Sequence, residues 1–131
     1  MLSRISIKSF IPGIAWFFLV TILCCLPGKD LPETQDWLGK IYFDKWVHFG
    51  LFFILTFLFM SPAVVRSSIT GKKKAIGFIA LAAIAYGLII EFVQQQFVPG
   101  RSFDGFDWAA DSAGVLGAWL WVNRTLKRQS R

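Results

Sequence analysis

The sequence is short of the groups from which soluble active sites are usually built. It has one histidine, His48, in 131 residues, which excludes a metal site made of two closely spaced histidines, and no metal is expected. Its two cysteines, Cys24 and Cys25, are neighbours at the end of an apolar block. Adjacent cysteines rarely bridge each other, and no second pair exists to make a disulfide framework or a zinc cage. Both therefore read as membrane-embedded apolar residues. Acids are scarce, eight against fourteen Lys and Arg. Internal repeats, low-complexity tracts and polar linkers are missing too, which leaves a single domain over residues 1–131.

Apolar and aromatic residues are plentiful. The chain is 55% hydrophobic with 14 Phe and 6 Trp, and its mean hydropathy is +0.55. A soluble domain of this size leaves too much of its surface in water to hide such a load. The apolar residues also come in long blocks, not in alternating or amphipathic patterns, so the solvent they fit is lipid. A net charge of +6 on a soluble chain would point to nucleic acid. Here the basic residues flank apolar blocks and read as topology signals, and no nucleic-acid partner is expected.

A spanning helix needs about 20 mostly apolar residues. Four blocks qualify: about 10–26, stopped by Pro27-Gly28; about 45–65, with Pro62 near its end; about 75–97, closed by Pro99-Gly100; and about 107–122. The fold class this predicts is an all-α membrane protein, a four-transmembrane-helix bundle. Arg4 and Lys8 ahead of the first block resemble the start of a signal peptide. The run Leu23-Cys24-Cys25-Leu26-Pro27 offers no small-x-small cleavage site, so the block is expected to stay as a helix.

Charge sets the orientation. With four spans, one side carries Arg4, Lys8, Arg66, Lys72, Lys73, Lys74, Arg124, Lys127, Arg128 and Arg131 and no acid. The other receives Asp30, Glu33, Asp36, Asp44, Glu91, Asp104, Asp107 and Asp111. Basic residues favour the cytoplasmic side, which predicts that both termini are cytoplasmic. Trp37, Tyr42, Trp46 and Trp108 then fall near the outer interface and Trp119 and Trp121 near the inner one.

Three spans deliver polar groups to the outer level. Asp44 and His48 are four apart and share a helical face. Ala83, Gly87 and Glu91 form a second stripe, continued by Gln94 and Gln95; Asp107, Asp111, Gly114 and Ala118 form a third. Small residues mark close helix packing in membranes, so the carboxylates on these stripes are expected to point into the bundle. Glu91 and Asp111 are the informative positions, because a carboxylate inside a span costs about 2.5–3.5 kcal/mol and needs a partner or water. Two readings stand: a salt-bridged plug that locks the helices, or a water-filled pocket open to the outside. His48 alone is weak, since a lone histidine at a helix end is more often packed than ligating. Carboxylates around it would suit magnesium, calcium or manganese. Ser102 is the one serine nearby, and nothing marks it as an activated nucleophile.

The set Asp44-Lys45-x-x-His48-Phe49-Gly50, Glu91-x-x-Gln94, Pro99-Gly100-Arg101-Ser102 and Asp107-x-x-x-Asp111-x-x-Gly114 resembles the VanZ-like family of bacterial membrane proteins, over about residues 41–122. One departure matters: the family commonly has Asn where this chain has Asp111, which adds a negative charge. The resemblance implies a bacterial inner-membrane protein, and the family's founding member is associated with resistance to the glycopeptide teicoplanin. The expected ligand-binding residues are Asp44, Lys45, His48, Glu91, Gln94, Arg101, Asp107 and Asp111, with His48 and Glu91 as candidate acid–base groups.

Several functions compete at this stage. The first is binding or modification of an envelope component, such as a lipid-linked wall precursor, a lipid head group or a glycopeptide-related ligand, with Arg101 holding a phosphate or carboxylate. Five acids against Lys45 and Arg101 make the site net negative, which favours a cation or an ammonium-bearing ligand. The others are a membrane enzyme, a proton- or ion-coupled transporter, and a structural assembly protein. Four short spans without a repeat suit a solo transporter poorly. No cofactor is named by the sequence.

Overall fold

A computed structural model describes residues 6–27, 42–65 and 69–129. A 3-10 turn, Ile7–Phe10, leads into α1, Ile11–Cys24, with Pro12 in its first turn, where a missing N–H costs no hydrogen bond. Then follow α2 (Phe43–Val65), α3 (Ile69–Phe97) and α4 (Gly105–Gln129). All described regular structure is helical. Three segments, Ile7–Cys24, Phe43–Val65 and Thr70–Phe97, are long and apolar enough to cross a membrane. Asp30, Glu33, Asp36 and Trp37, expected at the outer face, lie outside the described residues, as do Arg4, Arg66 and Arg131.

The two later helices overrun the apolar blocks. The third starts at Ile69 and takes in Lys72, Lys73 and Lys74; the fourth continues through Lys127 and Arg128 to Gln129. Hydropathy marks where hydrocarbon ends, whereas lysine and arginine are good helix formers that carry the backbone hydrogen bonds onward. Pro62 falls in the last turn of α2, where it disturbs few of the helix's bonds.

Helix α4 packs most extensively on α2 and then on α3, and α1 rests mainly on α2. Val20, Phe52, Met60, Ile76 and Val115 fill the centre with almost no exposed surface. Outside, Phe18, Phe78, Leu81, Phe92 and Trp121 are exposed, an apolar surface that suits lipid better than water. Gly114 sets the α2–α4 separation. A Cβ there would fall on the Phe49 carbonyl and lie 3.0 Å from the Phe53 amide nitrogen, so only glycine lets the two backbones meet.

Polar contacts tie α1 to the rest. Trp16 donates its indole N–H to the Leu51 carbonyl at 3.0 Å, and the Thr21 and Tyr86 hydroxyls share a hydrogen bond of 2.7 Å. Gln94 donates to the Cys24 carbonyl at 2.6 Å, giving a partner to a carbonyl at the end of α1 that has none within the helix. Such bonds are worth about 0.6 kcal/mol each between membrane helices, so α1 is the most loosely held element.

Candidate functional site

The start of α2, the end of α3 and the start of α4 meet at one end of the bundle, and each brings ionisable groups. The basic residues Lys72–Lys74 and Lys127–Arg128 sit at the opposite ends of α3 and α4. The connection from α3 to α4 is short because Pro99-Gly100 turns it: the Arg101 amide donates to the Val98 carbonyl at 3.2 Å, and Gly100 has φ 74°. Glycine takes that conformation without steric cost, as the third residue of such a turn requires. Asp104 then caps α4, its carboxylate accepting the Phe106 amide at 2.9 Å.

From this frame a polar chain runs from the surface into the interior. Lys45 Nζ lies 2.8 Å from Asp44, 2.7 Å from Asp104 and 2.5 Å from Asp107. His48 follows, with Nε2 3.6 Å from Asp107 Oδ2 and Nδ1 2.8 Å from Asp111 Oδ1. The gradient is steep: the Asp44 side chain is 56% exposed, Lys45 22%, and Asp111 not at all. Glu91 is also fully buried; its Oε2 accepts the Asp104 amide at 2.8 Å. The Lys45 ammonium, bonded to Asp104, holds that carboxyl below its ordinary value.

Two acceptors at the dry end are left over. Glu91 Oε1 and Asp111 Oδ2 are buried without a hydrogen-bond partner. Gly87 makes room for the second of these, since a Cβ there would sit 3.1 Å from Asp111 Oδ2. One donor atom from each of His48, Glu91 and Asp111 can be chosen so that all lie within 4.8 Å of one another. The structure thus brings together Asp44, Lys45, His48, Glu91, Asp107 and Asp111.

Gln94 is buried but is spent on the Cys24 carbonyl, and Gln95, expected to continue its stripe, is exposed. Arg101 lies half-buried in the turn. Among the described residues its guanidinium makes no ion pair with the cluster's carboxylates; the ion pairs there run to Lys45 and His48. Asp104 is the participant the sequence reading placed on this face without assigning it to the site. Its signal was legible as an aspartate one residue before a helix start, on the far side of a Pro-Gly turn. Trp108 holds α4 against α3 by donating to the Ile84 carbonyl at 3.1 Å. Described cavities of about 420, 250 and 240 Å³ are lined by residues outside the cluster.

No curated protein and no solved structure matches the chain. A model of the VanZ/LLP1 family matches residues 6–126, a stretch that contains every residue of the polar cluster. A ladder of ion pairs joining α2 to α4, with Glu91 of α3 beside it, set in a chain with membrane-spanning segments, is thus found in a protein that belongs to the VanZ/LLP1 family.

Proposed function

We infer that the chain crosses the bacterial cytoplasmic membrane four times, with both termini cytoplasmic, and uses its polar cluster at the outer face to bind or modify a cell-envelope component. The substrate class is a lipid-linked wall precursor or a lipid head group. Helix α4 is the span that hydropathy undervalues. Its 25 residues extend about 37 Å at 1.5 Å per residue, enough for a hydrocarbon core of about 30 Å. Its two acids, Asp107 and Asp111, are buried against α2 and α3, so they do not face lipid. The concentration of Lys and Arg at the end opposite the cluster supports the orientation.

The observation that carries the function is the buried His48–Asp111 contact at 2.8 Å beside Glu91. A plug needs only paired groups, and Lys45 bonded to Asp44, Asp104 and Asp107 supplies those at the rim. The two unpartnered oxygens deeper in serve no such purpose, and ionisable groups at membrane depth mark working sites. Arg101, which makes no ion pair with these acids, is the group this reading assigns to a phosphate or carboxylate. Mass spectrometry of lipids copurifying with the protein tests this. Wild type should retain a head-group lipid that Arg101→Ala and Glu91→Gln lose, and identical lipid profiles for all three would refute the reading. Teicoplanin-type resistance extends the same reading: expression of wild type, but not of Glu91→Gln, should raise the tolerated glycopeptide concentration.

A second reading, an enzyme, is favoured by the same dyad. A carboxylate bonded to Nδ1 fixes the imidazole and leaves Nε2 to exchange a proton, the arrangement used in general acid–base catalysis. Glu91→Gln separates the two readings. An enzyme loses turnover and keeps ligand, whereas a binding protein loses the ligand itself.

A further inference from the structure

The geometry points to a site for one divalent transition-metal ion, held by His48 Nδ1 and one oxygen each from Glu91 and Asp111, of the class of Zn²⁺, Mn²⁺ or Fe²⁺. This rests on reading the cluster as the working site, and it names what fills its dry end. The sequence has no two-histidine spacing to suggest it; the three donors come from three helices and meet only in the fold.

Distance is the first support. One ring nitrogen of His48 and one carboxylate oxygen each from Glu91 and Asp111 lie within 4.8 Å of one another, and all three residues are buried. Atoms so spaced fall within about 2.8 Å of a common centre, and metal bonds to nitrogen and oxygen are about 2.0–2.2 Å long. Each donor need move inward by only about 0.7 Å, a side-chain adjustment that leaves the helices in place.

Unmet valence is the second. Glu91 Oε1 and Asp111 Oδ2 are acceptors with no donor in reach, and each such buried group costs about 1–3 kcal/mol. A cation satisfies both at once. Lys45 is the ammonium nearest in the chain of contacts, and it is committed to Asp44, Asp104 and Asp107. Among the described residues Asp111 is paired only with His48 and Glu91 makes no ion pair, so a dication supplies charge that Lys45 does not.

The third support is the shell around the donors. Metal-binding histidines hold their second ring nitrogen on a carboxylate, and ligating carboxylates are themselves hydrogen-bonded. With Nδ1 on the metal, His48 turns Nε2 toward Asp107 at 3.6 Å, and Lys45 anchors Asp107. The Asp104 amide holds the other oxygen of Glu91 at 2.8 Å. One nitrogen and two oxygens suit zinc, manganese or ferrous iron better than an all-oxygen calcium or magnesium cage. Three protein ligands also leave a coordination position open, as in reactive rather than structural sites.

The test uses the full chain in detergent, stripped with a chelator and reloaded with Zn²⁺ or Mn²⁺ alone. Elemental analysis should find about one ion per wild-type chain, at least about ten-fold less in Glu91→Gln and Asp111→Asn, and the wild-type level in Lys72→Ala. Reloading should raise the Tm of wild type and leave both site variants unmoved. Should a variant fail to fold, the wild-type reload decides. A chain that takes up no ion and shows no Tm shift overturns the proposal, as do folded variants that hold metal like wild type. Wild type that copurifies an envelope lipid without metal defeats this inference alone; metal without lipid defeats the binding function alone.

Discussion

Replacing Gly114 by alanine puts a methyl group where α2 and α4 touch. It would clash with the Phe49 carbonyl oxygen and lie 3.0 Å from the Phe53 amide nitrogen. Both are backbone atoms of a helix, so no rotamer change can make room, and the helices must separate. Overpacking of this kind costs about 1–3 kcal/mol, and moving α4 also stretches His48–Asp111 and the Lys45 contacts a turn or two away. Against that stands a gain of up to about 1 kcal/mol in helix propensity. Gly77→Ala isolates the gain, because nothing lies within 4 Å of its Cβ position. Equilibrium unfolding in mixed micelles, followed by circular dichroism, should place Gly114→Ala up to about 2 kcal/mol below wild type and Gly77→Ala at or slightly above it, a gap of about 1–3 kcal/mol between the two. If the two alanine variants were equally stable, the close α2–α4 crossing, and with it the placement of the cluster, would be refuted.

Lys45→Met leaves Asp104 and Asp107 without their cation and should cost about 3 kcal/mol, the low end for a broken buried pair because Lys45 keeps some solvent; the same unfolding assay reads it, and Lys45→Arg should recover part of the loss. Trp108→Phe keeps the aromatic bulk and removes the donor to Ile84, a loss of about 1 kcal/mol that a Tm measurement detects. Asp104 is held below its ordinary carboxyl value by Lys45, so its folded form favours the charged state. The stability this contributes is present above the unfolded value near pH 4 and disappears as the pH falls through the lower folded value. Asp104→Asn should therefore flatten the acid limb of the stability–pH profile while leaving the rest of its shape unchanged.

Much of this arrangement was legible in the chain. Runs of apolar residues gave the helices, and the stripes Ala83-Gly87-Glu91 and Asp107-Asp111-Gly114-Ala118 correctly placed both carboxylates on buried faces. Adjacent glutamines were harder. Gln94 and Gln95 are chemically identical and differ by 100° around the helix, and it is α1, distant in sequence, that engages Gln94. Charge pairing was hidden for the same reason. Arg101 and Lys45 are both cations near the acids, but Lys45 projects from the first turn of α2 toward the start of α4, whereas Arg101 follows a turn whose geometry is local. The grouping of His48 with Glu91 and Asp111 depends on how far three helices approach each other, which glycines such as Gly87 and Gly114 allow and periodicity alone does not measure. The fourth helix shows the opposite effect: Asp107, Asp111 and the basic residues of its last turn lower its hydropathy, so its 25 residues outrun the apolar block.

Because His48 is the one histidine in the chain, histidine labelled with nitrogen-15 gives a single imidazole to observe by NMR in a membrane mimetic. The account predicts two distinct ring-nitrogen signals, shielded from solvent exchange, with Nδ1 displaced by Asp111→Asn and again by Glu91→Gln. A ring that titrates like free imidazole, with signals indifferent to both substitutions, would contradict the buried meeting of these three side chains.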